Sequence, residues 1–311
     1  MSLKLKIAVI IPCLNENITI GKVVKDFSKE IKDADIYVVD NGSSDNSAEI
    51  AAKAGALVIN ESKRGKGNAL SRAFSHVDAD LFLIVDGDGT YDPKYASKMI
   101  TLLIEEGLDM VVASRQHTSD SAYREGHQLG NKIFNKLFSI LFGKIFSDIF
   151  SGYRALSAPF VKSFPVFSRG FEIETEMSVH AVNLKLPTAE IKVPYYPRPH
   201  NSNSKLSTYK DGIKIFLKML MLFRTNRPFV FYGIISLTFT FISGIILTPL
   251  LVTYFKTGLV PRFPTLIVVV GSIIMSALVF FTGLILQTMV EFQGENRRLA
   301  YLSIKQRLQK K

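Results

Sequence analysis

The 311-residue chain has one cysteine and no tryptophan, and its acidic residues are outnumbered. A single Cys13 excludes an internal disulfide. It ends an apolar strand pattern, where a small thiol packs as a hydrophobe, so no chemistry is assigned to it. Zinc-finger spacing is absent. The first strand pattern, 7–12, runs into Pro12-Cys13-Leu14-Asn15-Glu16 and not into Gly-x-Gly-x-x-Gly, which excludes a dehydrogenase-type pyrophosphate cradle. No Gly-x-x-x-x-Gly-Lys-Ser/Thr loop occurs either, which excludes a P-loop. Residues 1–6 pass straight into the first strand, so no signal peptide is expected. Asp and Glu total 27 against 38 Lys and Arg, a net charge of +11. Such an excess suits nucleic acid or an anionic membrane surface. No RNA-binding signature is present and the lysines lie beside apolar segments, so a membrane is the expected partner and nucleic acid is not.

Apolar strand patterns at 7–12, 36–39, 56–59, 81–85 and 109–113 alternate with helical patterns at 18–31, after the 41–45 turn, from 68 and from 93. Ser44 or Asp45 is the expected N-cap of the second helix. Alternation of this kind calls for an α/β fold, a doubly wound, mostly parallel sheet. Asp40 and Asp86 both follow strands and should line one sheet edge, where open α/β sheets bind ligands. Asp86-Gly87-Asp88 sits in a tight turn after the most apolar strand. Two carboxylates so spaced can hold one hard divalent cation that bridges a diphosphate; the plain alternative is a solvated polar turn. Without a glycine-rich cradle, diphosphate charge must be met by a metal or by basic side chains.

Beyond Ser114 the alternation breaks down. Segment 131–146 is apolar yet carries Lys132, Lys136 and Lys144. It reads as a helix at a membrane surface, or as a core helix with snorkelling lysines. Glu172, Glu174 and Glu176 open the next helix, where acids suit the N-terminal dipole. A strand at 191–193 leads to an irregular loop, 195–207, with Arg198, His200 and Lys205. Lys210, Lys214 and Lys218 form a basic stripe on an amphipathic, interfacial helix. Segments 229–254 and 265–290 are apolar, uncharged and each longer than the roughly 20 residues that span a bilayer. They predict a two-helix transmembrane hairpin, with Pro249 as a candidate kink. Basic flanks place the catalytic domain and tail on the cytoplasmic side of the inner membrane, although Lys256 and Arg262 weaken the asymmetry. The expected divisions are a catalytic domain at 1–207, a juxtamembrane helix at 208–228, the hairpin at 229–291 and a basic tail at 292–311. Ser272 and Ser276 permit close packing of spans, a hint of a homo-oligomer. Arg115, Arg154, Arg198 and Lys205 fall in the irregular region. Singly each reads equally as a surface residue; together they suit a lipid phosphate.

The first 210 or so residues carry, in order, Ile11-Pro12-Cys13-Leu14-Asn15-Glu16, Val38-Val39-Asp40-Asn41-Gly42-Ser43, Asp86-Gly87-Asp88, Ala113-Ser114-Arg115, Ser151-Gly152-Tyr153-Arg154, and Arg198 leading to Ser204-Lys205-Leu206. In that motif order the chain resembles the family 2 glycosyltransferases of the dolichol-phosphate mannosyltransferase and bactoprenol-phosphate glucosyltransferase type. The resemblance implies a GT-A (Rossmann-like) domain that transfers a hexose from a nucleotide-diphosphate sugar, expected to be a UDP-sugar, to undecaprenyl or another polyprenyl phosphate. Pro12, Asn15, Glu16, Asp40 and Asp86 would bind the donor. Asp86 and Asp88 would carry Mg2+ or Mn2+. Arg115, His127, Asn131, Ser151, Arg154, Arg198 and Lys205 would receive the acceptor phosphate, with Arg115 and Arg198 also stabilising the reacting charge. Relatives usually have Asp where Asn41 stands, and the mannosyl enzymes have Gln where Thr90 stands. Two other readings compete. A processive polysaccharide synthase would need a Gln-x-x-Arg-Trp motif, and this chain has no Trp. A catalytically silent, membrane-anchored nucleotide-sugar-binding protein would use the same residues as an enzyme.

Overall fold

The computed structural model describes residues 5–117, 127–143, 146–170, 172–199 and 208–304. Its strands are β1 (Ile7–Cys13), β2 (Ala34–Asp40), β3 (Leu57–Asn60), β4 (Leu81–Ile84), β5 (Met110–His117), β6 (Arg154–Ser157) and β7 (Thr188–Tyr195). The helices are α1 (Ile20–Glu30), α2 (Ser47–Lys53), α3 (Lys66–His76), α4 (Tyr95–Glu105), α5 (His127–Phe142), α6 (Ala158–Ser163), α7 (Ile173–Asn183), α8 (Thr208–Asn226), α9 (Pro228–Thr257) and α10 (Phe263–Ser303). The strands form one sheet in the order β3-β2-β1-β4-β6-β5-β7. β1 pairs in parallel with β2 and β4, β2 with β3, and β5 with β7.

Buried β4 is apolar at all four positions, as a strand covered on both faces must be. Ile20, Val23, Val24 and Phe27 give α1 the apolar stripe that covers the sheet. In the parallel register Cys13 lies beside Asp40, so the loops after β1, β2 and β4 open at one edge. The doubly wound, mostly parallel sheet is thus the one the alternation predicts, with one exception. β6 runs antiparallel to both β4 and β5. Its four residues begin with a charged, wholly buried Arg154, so no apolar alternation announces it. The cap of α2 also differs from expectation. Asn46 takes the N-cap position without a side-chain bond, while Asp45 Oδ1 accepts the Ser47 amide at 3.0 Å. On α5, Phe138 and Phe142 are buried whereas Ile140 and Lys136 are exposed, so the helix packs one face and presents the other. Lys144 lies outside the described residues, as do the side chains of Lys132, Lys210, Lys214 and Lys218.

Residues 1–219 and 297–311 cluster as one unit and 220–296 as a second. In the second unit, α9 and α10 include two stretches long and apolar enough to cross a membrane. Pro249 lies inside α9 without ending it. Ser276 Oγ donates to the Ser236 carbonyl at 2.8 Å and meets the Ser236 and Thr240 hydroxyls at 2.8 Å, so its small side chain serves packing within the chain. In the first unit, the last turns of α10 reach the base of the sheet. Tyr301 donates to Asp109 Oδ2 at 2.9 Å, and Arg298 donates to the Leu184 carbonyl at 3.1 Å.

His180 of α7 is held in this unit between Phe160 and Phe164, each ring 5.2 Å away, and meets Ser163 Oγ at 3.2 Å. Burial, aided by the Arg297 charge, pushes its pKa down to about 3. Below the ordinary histidine value of about 6.5, the unfolded chain therefore binds a proton that the folded chain refuses. The stability that goes with neutral His180 is complete above that value and falls on acidification by at most about 1.4 kcal/mol per pH unit. Thermal unfolding in detergent between about pH 7 and 5 should show a steeper loss for the wild type than for His180→Phe, which keeps the aromatic packing and removes the proton site. Parallel curves would show that His180 is not the sensitive group.

Candidate active site

Three loops meet at the carboxyl edge of β1, β2 and β4. Asn15, after β1, adopts a left-handed φ of 51°, tolerable for a short amide side chain. Its Oδ1 accepts the Ser44 amide at 2.7 Å, and its own amide donates to Ser43 Oγ at 2.9 Å. The Glu16 amide donates to Ser47 Oγ at 2.8 Å, and Asp40 accepts the Ser43 amide at 3.3 Å. Pro12 is part-buried on β1. The expected donor residues Pro12, Asn15, Glu16 and Asp40 therefore share one loop cluster. Thr19 ties that cluster to the acidic turn by donating to the Gly87 carbonyl at 2.6 Å.

At the acidic turn each aspartate faces a cation. Asp86 pairs with Lys66, whose ammonium also lies 2.5 Å from Glu174. Burial pulls the lysine down, but the charges of Asp86 and Glu174 outweigh it and hold the ammonium above the ordinary lysine range. Asp88 Oδ1 accepts Thr90 Oγ1 at 2.6 Å and the Thr90 amide at 3.1 Å. Arg198 Nη2 lies 2.7 Å from Asp88 Oδ2. Burial, then the neighbouring Asp86, keep Asp88 above the usual carboxylate range against the pull of Arg198.

Lys66 and Glu174 are the residues that sequence reading passes over. Lys66 lies between Gly65 and Gly67, and both glycines are required. Gly65 has φ 129°, and a Cβ at either would overlap the backbone of Ser168 or Arg169. Asn41 shapes the same loop: its Nδ2 donates to the Lys63 carbonyl at 2.7 Å and its Oδ1 accepts the Gly65 amide at 2.5 Å. The only sequence signal for Lys66 is its bracketing by glycines. Glu174 is indistinguishable in sequence from an acid placed for the helix dipole.

The expected phosphate-binding residues fare unequally. Arg115 grips Asp148 with Nε at 2.7 Å and Nη2 at 2.9 Å, and its guanidinium lies 5.4 Å from the Tyr195 ring. Burial favours the neutral carboxyl, but Arg115 prevails and lowers the Asp148 pKa. Arg154 is wholly buried and donates to the carbonyls of Ser151 (2.9 Å) and Ile149 (2.8 Å) and to Ser178 Oγ (3.0 Å), so it shapes the 149–152 loop from behind. Burial brings its pKa down to about 10. Ser151 is also buried, its hydroxyl 3.3 Å from Tyr91 Oη, which in turn accepts the Gly152 amide at 3.0 Å. His127 and Asn131 lie on α5 with side chains outside the description, and Lys205 lies outside the described residues.

Lys66, Arg115, Arg154 and Arg198 are thus matched within one edge by Asp86, Asp88, Asp148 and Glu174. Among these described side chains the charges balance, so a dication arriving with the diphosphate would offset the negative charge it brings. Among the described residues no group of three or more His, Cys, Asp or Glu could hold a metal alone. Asp86 and Asp88 nevertheless fit one: both are hard oxygen donors, both already face positive charge, and Mg2+-type sites are commonly completed by substrate phosphates and water.

Comparison with known proteins agrees with this layout. The solved glucosyl-3-phosphoglycerate synthase of Mycobacterium tuberculosis, in complex with Mn2+, UDP and glucosyl-3-phosphoglycerate, superposes with a TM-score of 0.59 at 22% identity. The match covers 70% of this chain and 80% of that one and shows the GT-A-like fold. Glycosyltransferase AglJ of Haloferax volcanii is 36% identical over 236 residues, 75% of this chain and 77% of its own. The undecaprenyl-phosphate 4-deoxy-4-formamido-L-arabinose transferase of Yersinia enterocolitica is 30% identical over 132 residues, 39% of this chain and 40% of its own. With residues 8–163 matching Glycosyl transferase family 2, and an aligned relative of that breadth, the chain belongs to the family 2 glycosyltransferases.

Proposed function

We propose that this glycosyltransferase moves a hexose from a UDP-sugar to undecaprenyl phosphate or a similar polyprenyl phosphate, with inversion, using Mg2+ or Mn2+. The observation that carries the reading is the acidic turn set against cations: Asp86 and Asp88 face Lys66 and Arg198 at the edge that Asn15, Glu16 and Asp40 also line. In this reading Pro12, Asn15, Glu16 and Asp40 hold the nucleoside and Asp86 and Asp88 hold the dication. Arg115 and Arg198 take the acceptor phosphate, joined by Lys205, His127 and Asn131, while Ser151 and Arg154 form the wall behind it. The two apolar helices α9 and α10 are long and apolar enough to hold the chain in the membrane where a lipid acceptor resides. Arg224, Arg227, Arg297 and Arg298 flank them and favour a multi-pass protein of the inner membrane with its catalytic unit in the cytoplasm.

A bound dication would neutralise the diphosphate as it departs. The chain's residues do the rest by position and charge. A phosphate monoester, with a second pKa of about 6, is already a nucleophile at neutral pH, so no general base is required. An acceptor phosphate oxygen forms the new bond to the anomeric carbon on one face. The bond to the donor's β-phosphate oxygen breaks on the other, and its electron pair leaves with the nucleoside diphosphate. Arg115 and Arg198 orient the attacking phosphate.

The test is release of nucleoside diphosphate by the detergent-purified chain with undecaprenyl phosphate, Mg2+ or Mn2+, and a panel of nucleotide sugars. Release should require the lipid and fall about a hundredfold or more in Asp88→Asn. Retained anomeric configuration, or nucleotide binding without turnover on any donor, would overturn the reading. A second variant probes the turn from outside its carboxylates. A Cβ at Gly152 would overlap Asp86 Oδ2 and stand 2.7 Å from Lys66 Nζ. Gly152→Ala should therefore cost about tenfold or more in turnover and about 1–3 kcal/mol in stability by thermal unfolding, since the added atom crowds a buried ion pair.

A further inference from the structure

We propose that Arg198 is an exchangeable counter-cation: it holds Asp88 until a dication claims that carboxylate, and then serves the acceptor phosphate. The inference rests on the transferase reading and adds to it a coupling between the two substrate sides.

The carboxylate of Asp88 has little freedom. Its side chain is 4% exposed, and Oδ1 already accepts two hydrogen bonds from Thr90. Oδ2 is the oxygen left to meet a positive charge, and that is the atom Arg198 holds at 2.7 Å. Any cation bound to Asp88 through Oδ2 must take it from Arg198. Of the cations described at this edge, Arg198 is also the one best able to yield. Its side chain is 27% exposed, against 7% for Lys66 and 15% for Arg115. It stands just past the end of β7, outside regular secondary structure, whereas Lys66 opens a helix and Arg115 lies within a strand. Released, it would not drift away. The Tyr196 amide donates to the Thr90 carbonyl at 2.9 Å, and Tyr91 bridges Tyr195, so the chain two residues before Arg198 is pinned to the acidic turn.

Two consequences follow from mass action. Metal alone must break the Arg198–Asp88 pair, so affinity without substrates is held down. An acceptor phosphate that takes up Arg198 removes that penalty, so phosphate and metal should each tighten the other by the same factor.

Mn2+ binding to the nucleotide-free, detergent-purified full chain, followed by electron paramagnetic resonance, reads this directly. Arg198→Ala should bind Mn2+ about two- to fivefold more tightly than the wild type, the range for loss of a partly exposed ion pair. Arg198→Lys should fall between. Undecaprenyl phosphate should tighten Mn2+ in the wild type and leave Arg198→Ala unmoved, while Arg198→Ala raises KM for the lipid. Equal or weaker Mn2+ binding by both variants, with folding intact by circular dichroism, would overturn the exchange even if the wild type turns over. Wild type that binds Mn2+ as described yet transfers no sugar would overturn the transferase reading and leave the exchange standing.

Discussion

The ammonium of Lys66, lodged between Asp86 and Glu174, is the contact on which the rest of the site depends. Lysine at the first turn of α3 opposes the helix dipole and is nearly buried, so it is tolerated only because two acids receive it. Withdrawing one member of a buried ionic group leaves the others uncompensated, a cost of about 3–5 kcal/mol. The three residues come from separate places: the start of α3, the turn after β4 and the start of α7. Their union fixes the acidic turn relative to the 165–170 loop, which the Gly67 amide also binds through the Arg169 carbonyl at 3.0 Å. Gly65, Gly67 and Gly152 are glycines because each lies where a Cβ would strike this assembly or the backbone that supports it.

Charge matching extends outward from that centre. Arg115 is spent on Asp148, Arg198 on Asp88, and Arg154 on the carbonyls behind the 149–152 loop. The described cations of the site are already engaged. The site gains substrate affinity by trading partners, so that each substrate's charge is weighed against a carboxylate already in place. Buried pairs of this kind contribute little net stability and much geometric definition, because a displaced partner leaves an unpaired charge in a poorly solvated place.

The sequence reveals the frame more readily than the site. Alternating apolar strands and amphipathic helices predict the sheet, and Asp86-Gly87-Asp88 stands out because a run of buried residues ends there. β6 is hidden because Arg154 is buried by hydrogen bonds to carbonyls and not by apolar character. Likewise Arg154, an ordinary candidate for phosphate in a motif, is turned to the interior by a register that pairs it with Ile84. Lys66 and Glu174 are more than a hundred residues apart, and nothing local states that they meet. Only the fold's closure of the α7 end onto the Gly65-Lys66-Gly67 loop brings them together.

Asn41 shows how one departure from the family pattern can be read from its surroundings. The family pattern that the sequence resembles has Asp at this position. Here the side chain accepts from Gly65 and donates to two carbonyls, Lys63 at 2.7 Å and Glu61 at 3.3 Å. An aspartate could keep the first bond but has no proton for the others, and its charge would face two carbonyl oxygens. The amide therefore belongs to the course of the 61–65 loop, and through that loop to the placement of Lys66. Asn41 is thus part of the framework that delivers the Lys66 ammonium to the acidic turn.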